Sequence, residues 1–388
     1  MSKRIAILYD CPFPYVQGGG QRRLFEIARN LLQKGWEVEW FALQFWEGPK
    51  TIQHKGITYT AVGRGVELYG PGGKRRIWET IYYGLMIMKH TELRHFDVIH
   101  AGQWPFFHLV PARLYSLFGR AKLVVDWWEV WGTAHWLEYY GAKGIIGSGF
   151  EKLLTQIAPN IIAITRKGKN QLKRLGVKET KVNFIPNGID FEKIQNARAK
   201  EKDFDLVFMG RLNKHKSVDH LLHVVSILQK AGTQVTLQII GEGPEKLALE
   251  KLAEQLEIAN RVTFHGMISS DAEAYSWMKA SRLFVHPIHK GGGGSITVLE
   301  ANACGLPVVA YKHEKGISEE LIDEGVNGYW VTKTEPKALA EKISFLLSDK
   351  GLGQSLKTSA FEHAKQYAWA SIAEVYNGYF MELIDSKK

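Results

Sequence analysis

The stretch His286-Pro-Ile-His-Lys-Gly-Gly-Gly-Gly-Ser-Ile-Thr-Val-Leu-Glu-Ala-Asn-Ala-Cys-Gly-Leu-Pro307 decides the fold. An apolar run, Leu283-Phe284-Val285, leads into four glycines, Gly291 to Gly294. Ser295 follows, then apolar residues at helical spacing: Ile296, Val298, Leu299 and Ala303. That order predicts strand, glycine loop and helix N-terminus. Glycines let a backbone come close to a ligand. The first turn of a helix carries unpaired N–H groups and partial positive charge, which suits a phosphate. Ser295 is placed to cap the helix or to donate its hydroxyl. Glu300, about one and a half turns into the helix, is placed to accept from ribose hydroxyls. His286 and His289 read as strand-end residues and not as metal ligands.

The same alternation runs through the rest of the chain. Arg4 to Asp10 reads as a buried strand, followed by a loop with Gly18, Gly19 and Gly20. A helix follows, marked by Leu24, Ile27, Leu31 and Leu32, and then a strand over 36–43. This is a βαβ unit of the doubly wound type. Its glycine spacing is not GxGxxG, so no nicotinamide site is expected. Further strands are expected over 96–100, 122–126, 160–164 and 181–185. A second series follows over 205–209, 235–240, 262–264, 283–285 and 308–311. The fold expected is α/β, with two Rossmann-like domains: residues 1–190, a charged linker at 191–203, residues 204–362, and a helical tail at 363–388.

At 388 residues, 45% hydrophobic and 23% charged, the chain is expected to be globular with two cores. No apolar run nears the ~18 residues a membrane span needs. The run Ile5 to Tyr9 is too short for a signal peptide, so a cytoplasmic protein is expected. Cys11 and Cys304 lie far apart and offer neither a disulfide framework nor metal spacing. Charge is uneven: residues 1–189 hold 26 Lys and Arg against 14 Asp and Glu, whereas the remainder holds 24 against 26. The basic half suits phosphates or an anionic membrane surface. It carries no nucleic-acid recognition motif.

Two further stretches carry chemistry. Lys74, Arg75 and Arg76 follow a glycine-rich turn and precede an expected helix. Residues 127–140 hold Trp127, Trp128, Trp131, Trp136, Tyr139 and Tyr140. Three readings stay open for this aromatic cluster: a platform for sugar rings, a membrane-interface belt, or a packed core between helices. In the second half, Gly210-Arg-Leu-Asn-Lys-His-Lys216 follows a strand. It sets Arg211 and Lys216 at a strand's carboxyl end, where doubly wound sheets bind ligands, and the pair can neutralise a diphosphate.

Residues 210–216, 291–305, Pro186-Asn-Gly-Ile-Asp190 and the N-terminal triple glycine together resemble the retaining family 4 glycosyltransferases of GT-B fold. The resemblance spans nearly the whole chain. It implies two domains facing a central cleft, with the C-terminal helix returning to the first. It implies transfer of a sugar from a nucleotide-diphosphate sugar, with retention of configuration and without metal or cofactor. By resemblance, Gly210, Arg211 and Lys216 hold the donor diphosphate. Gly293, Gly294, Ser295 and Ile296 add loop contacts, Glu300 binds ribose, and Gly18 to Gly20 approach from the first domain. The expected catalytic set is Arg211, Lys216, Glu129 and Asp126. The expected acceptor surface is Trp128, Trp131, Arg75 and Arg76. The acceptor expected is a glycan or lipid-linked molecule. The resemblance is incomplete at two positions: Gly292 stands where the family usually has Glu, and Trp128-Glu129 where it often has a His motif. A sugar-nucleotide epimerase and a nucleotide-sugar binder without catalysis are the alternatives.

Overall fold

The computed structural model describes residues 2–70, 74–289 and 294–386. The chain divides into two compact units, Met1–Pro186 with Trp369–Lys388, and Asn187–Ala368.

The first unit is built on strands β1 (Lys3–Leu8), β2 (Trp36–Gln44), β3 (Thr51–His54), β4 (Ile57–Arg64), β5 (Val98–Gly102), β6 (Lys122–Trp127), β7 (Asn160–Ala163) and β8 (Val182–Phe184). Their order is β3-β4-β2-β1-β5-β6-β7-β8. All neighbours are parallel except the β3–β4 hairpin at the edge. Helices α1 (Gly19–Gln33), α2 (Ile77–Ile87), α3 (Leu109–Phe118), α4 (Gly132–Tyr140), α5 (Gly144–Ile157) and α6 (Arg166–Arg174) connect them. Central strands such as β1 and β6 are continuous apolar runs because both sheet faces are covered by helices.

The second unit starts with α7 (Phe191–Asn196). It then runs β9 (Phe204–Met209), α8 (Val218–Lys230), β10 (Leu237–Ile240), α9 (Lys246–Gln255), β11 (Val262–Gly266), α10 (Asp271–Lys279), β12 (Ser281–His286), α11 (Ile296–Ala303), β13 (Val308–Tyr311), β14 (Gly328–Val331), α12 (Pro336–Ser348) and α13 (Lys350–Lys365). Its all-parallel sheet has the order β11-β10-β9-β12-β13-β14. Both sheets reverse direction beside their first strand, between β1 and β5 and between β9 and β12. In such folds the crevice at the carboxyl ends of those strands takes the ligand.

Three differences from the sequence reading have physical causes. Residues 191–203 do not form a plain linker. They begin with α7, capped by the Asp190 side chain on Lys193 N at 3.2 Å, and bury Ile194 in the second core. The tail is broken at 366–368: α13 packs in the second unit, while α14 (Trp369–Asp385) belongs to the first. Residues 312–362, for which no element is expected, carry β14, α12 and α13.

The first unit holds α14 through a buried polar knot. Arg23 on α1, 2% exposed, donates from Nε to Asp126 Oδ2 at 2.8 Å. Its Nη1 and Nη2 reach the carbonyls of Pro186 and Ile185 at 2.7 and 2.9 Å. Nη2 also donates to Tyr376 Oη at 2.6 Å, and that hydroxyl donates to Asp126 Oδ1 at 2.6 Å. His100 Nε2 lies 3.1 Å from the same oxygen. Burial alone would raise the Asp126 pKa. Arg23, His100 and Tyr376 outweigh burial and hold it below the usual carboxylate range.

Removing one partner leaves a charge buried without its counter-ion, so Arg23→Ala should destabilise the chain by about 3–5 kcal/mol in chemical unfolding. Tyr376→Phe should cost about 1–3 kcal/mol. Because the folded pKa of Asp126 is depressed, its contribution is present above the unfolded value and is lost as pH falls below about 4. Acid unfolding should therefore shift less with pH in Asp126→Asn than in the parent.

Candidate functional site

In the second unit, the expected donor residues lie on two loops at the switch point. β9 and β12 are neighbours, with Leu206 beside Leu283 in register, so the loops at their carboxyl ends adjoin. Gly210 ends β9 with φ 158° and Gly241 ends β10 with φ 140°. A Cβ on Gly241 would strike the Gly210 carbonyl oxygen. The glycines thus keep the floor of the crevice low.

Arg211 is exposed and Lys216 is half-buried. Burial pulls the Lys216 ammonium below its usual pKa, with no anion opposing the shift. Among the described residues neither cation has an ion-pair partner. Ser217 Oγ lies 3.2 Å from His289 Nδ1, which ties the β9 loop to the β12 loop. Of the β12 loop residues, Gly293 lies outside the described residues, as does Gly292.

Ser295 occupies the N-cap position of α11, but its side chain does not cap the helix. Its hydroxyl instead pairs with His286 Nε2 at 3.0 Å and Thr297 Oγ1 at 2.8 Å. His286 is 1% exposed. Burial, helped by the nearby Lys216 charge, pushes its pKa down to about 3, so the imidazole is neutral at pH 7. The sequence reading placed His286 at the strand end and missed this hold on Ser295. Among the described residues no side chain caps the first turn of α11, which begins at Ile296, two residues after Gly294. Glu300 is partly buried one turn further on, and Tyr275 Oη donates to its Oε1 at 2.7 Å. Tyr275 was not expected. Two cations, an uncapped helix N-terminus and a carboxylate thus lie at one switch point, a set suited to a phosphorylated ribose.

The first unit's switch point is filled by Trp128. Its indole packs against Gly20 of α1 and Gly102 of β5, where a Cβ would lie 2.8 Å from the ring. It meets Tyr9 edge-on, with ring centroids 5.3 Å apart. At Gly20 a Cβ would collide with the indole outright. Gly20 is small to admit an indole, and Gly19 alone faces open space. At Gly18 the obstacle is the Gln21 side chain. The buried Gln103 side chain, also missed, fixes the turn: its Oε1 accepts from the N–H groups of Trp128 and Glu129 at 2.5 and 3.0 Å, and its Nε2 donates to the Glu129 carbonyl at 2.8 Å. Glu129 is exposed, and its Oε2 accepts from Trp131 Nε1 at 3.2 Å.

Two expected roles fall away. Asp126 is wholly buried with both oxygens engaged by Arg23 and Tyr376, so it cannot orient an acceptor hydroxyl. Arg75 is not a surface cation: it pairs with buried Asp10, and its Nε reaches buried Glu79 Oε2 at 3.2 Å. Burial beside Asp10 pushes Glu79 up to about 8. Arg76 stays exposed and pairs with Glu67 at 2.5 Å. Most of the aromatic cluster is core. Trp127 and Trp136 are buried, and Glu151 accepts from Trp136 Nε1 at 2.9 Å and from the N–H groups of Trp131 and Gly132. Trp131 packs at 5.0 Å on Trp104 and is only partly exposed. Among the described residues no group of three or more His, Cys, Asp and Glu is placed to hold a metal.

Residues 17–193 match Glycosyltransferase Family 4, and residues 190–363 match Glycosyl transferases group 1. The chain belongs to the GT-B glycosyltransferase superfamily. An uncharacterized glycosyltransferase of Methanocaldococcus jannaschii is 27% identical over 60% of this chain and 61% of its own length. The capsular polysaccharide biosynthesis glycosyltransferase CapM of Staphylococcus aureus is 27% identical over 60% and 65%. The chain thus spans less than two thirds of either relative. Sucrose-phosphate synthase from Thermosynechococcus elongatus superposes with a TM-score of 0.74 at 18% identity, covering 99% of this chain and 100% of that one. Anabaena HepE, in complex with UDP, gives 0.71 at 19% identity over 98% and 100%. In this member of the superfamily, Trp128 and Glu129 stand where the resemblance leads one to expect a His motif, and an indole N–H cannot act as a base.

Gly20→Ala should displace the Trp128 ring and cost about 1–3 kcal/mol in thermal unfolding. In Trp128→Ala the same substitution should cost much less, a coupling that a double-mutant cycle measures.

Proposed function

We propose that the chain transfers a sugar from a nucleotide-diphosphate sugar to an acceptor, with retention of configuration and without a metal ion or cofactor. The observation that carries this is the pair of cations, Arg211 and Lys216, which have no ion-pair partner among the described residues, beside the N-terminus of α11, which the Ser295 side chain does not cap. They supply the positive charge that a leaving diphosphate needs, in a crevice where fixed charge acts strongly. Ser295, Ile296 and the Gly294 backbone complete the phosphate contacts, and Glu300, braced by Tyr275, accepts from the ribose. The UDP and UDP-glucose complexes of Anabaena HepE support a nucleotide sugar donor. The second unit is the donor domain, and the first is the acceptor domain. The same charge arrangement serves retention: the donor phosphate takes the acceptor proton, so no general-base His is required. Glu129, the exposed carboxylate beside Trp128, orients the acceptor hydroxyl, and Trp128 and Trp131 flank it. The acceptor is a glycan or lipid-linked molecule, and the enzyme works at the cytoplasmic face of a membrane.

Charged hydrogen bonds contribute roughly 1.5–3 kcal/mol each, so Lys216→Ala should lower donor turnover at least about tenfold, read as nucleotide released from a panel of nucleotide sugars. Glu129→Gln should lower transfer more than donor hydrolysis while UDP affinity by calorimetry stays unchanged. Undiminished turnover in Lys216→Ala would overturn the donor site. Nucleotide sugars that change only at a sugar carbon, with no nucleotide released, would point to an epimerase.

A further inference from the structure

We propose that the outer face of α2, α3 and α5 docks on an anionic lipid bilayer. This deepens the reading of a membrane-associated acceptor by naming the surface, and it stands on observations separate from the donor site.

Helix α2 is apolar on both sides. Its inner side buries Tyr83, Gly84 and Ile87, and its one charged residue, Glu79, points inward and is fully buried. The outer stripe is Trp78, Ile81 and Leu85, continued by Met88, all exposed. A helix apolar all round belongs in a core or in a membrane. The neighbouring helices continue the face. α3 exposes Leu114, Leu117 and Phe118, the last 80% exposed, and α5 exposes Ile145, Ile146 and Leu153, with Ile146 at 77%.

The three helices are contiguous. Tyr115 Oη of α3 donates to the Met88 carbonyl at 2.7 Å. Gly84 lets α2 approach Phe107, which a Cβ would meet at 2.9 Å. Phe107 in turn packs on Phe150 of α5, with ring centroids 4.6 Å apart and the planes tilted by 31°. In the second unit the exposed large apolar residues Leu247, Met267, Val326 and Phe345 are scattered over separate elements. Scattered apolar residues need no explanation, but a continuous face of this extent marks an interaction site.

Charge selects the occupant. Lys74 precedes α2, Lys89 follows it, and Lys143 and Lys152 flank or sit on α5, while Arg76 and Arg120 lie there paired with Glu67 and Asp97. A basic rim around an apolar face complements anionic headgroups, with long side chains reaching the phosphate layer. A second copy of the same face would set these cations against each other. Among the described residues no helix is long and apolar enough to cross a membrane, so the face lies on the bilayer surface.

The test is flotation of the full chain with vesicles of phosphatidylcholine alone and with phosphatidylglycerol added. Binding is expected on the anionic vesicles and should fall as salt rises, since screening shortens to about 8 Å at physiological ionic strength. The exposed double variant Leu85→Asp/Phe118→Asp should float about tenfold less, with unchanged Tm and UDP affinity. Three results would overturn the proposal: equal flotation of parent and variant, equal binding to neutral and anionic vesicles, or a dimer in solution that the variant splits while vesicles bind neither. If flotation behaves as expected but no nucleotide sugar is turned over, docking stands and the transferase reading falls.

Discussion

The ion pair between Arg23 and Asp126 is the constraint on which the first unit depends. A guanidinium that is 2% exposed and a carboxylate that is fully buried lose their hydration, and only a complete set of partners offsets that loss. The set is drawn from distant parts of the chain: α1, β6, the carbonyls of 185 and 186, and Tyr376 on α14, 353 residues from Arg23. The knot therefore fixes the C-terminal helix to the sheet and fixes the register of α1 against β6. Gly20 lies three residues before Arg23, and Trp128 two residues after Asp126. The same constraint thus aligns the glycine loop with the indole that packs on it.

The two switch points are built alike and furnished differently. Each lies beside the first strand of its parallel sheet, and each has a glycine loop at a helix N-terminus. In the first unit a large aromatic ring fills the crevice, and buried Asp10 pairs with Arg75. In the second, glycines keep the floor low and, among the described residues, the cations have no ion-pair partner. One crevice is occupied by the protein's own side chains, and the other presents uncompensated charge. That difference is why the proposed phosphate site is placed in the second unit.

Much of this was legible in the sequence. The strand at 308–311 has the bounds expected, and Arg211, Lys216, Ser295 and Glu300 stand on the loops and helix that the apolar runs and glycines announced. What pattern alone misjudged were polar residues whose partners lie far off in sequence. Arg75 read as a surface cation because Asp10 is 65 residues away, and Asp126 read as a site carboxylate because Arg23 is 103 residues away. A signal existed for the second: Arg23 falls on the apolar stripe of α1 with Ile27, and Asp126 ends an apolar strand, so both were candidates for burial. Helices α2 and α4 lack the polar–apolar alternation that makes a helix face readable. Their apolar outer sides became visible only once the inner sides were filled. Ser295 looked like a cap from its position, but His286, nine residues earlier, claims its hydroxyl.

The basic residues of this chain sort by what answers them. Arg23 and Arg75 are buried, and each has carboxylates arranged around it, so both are spent on the fold. Lys216 is half-buried yet has no carboxylate, and burial lowers its pKa. A protein gains nothing in stability from such a lysine, because its desolvation goes uncompensated in the free state. The arrangement is economical only if an anion arrives to restore the lost hydration, and the neutral His286 beside it sharpens the point. A protonated imidazole there would repel Lys216 and could not accept from Ser295. Kept neutral by burial, it holds the serine hydroxyl at the entrance to α11 without adding a charge of its own. His286 therefore adds no charge at pH 7 beside Arg211, Lys216 and the helix N-terminus.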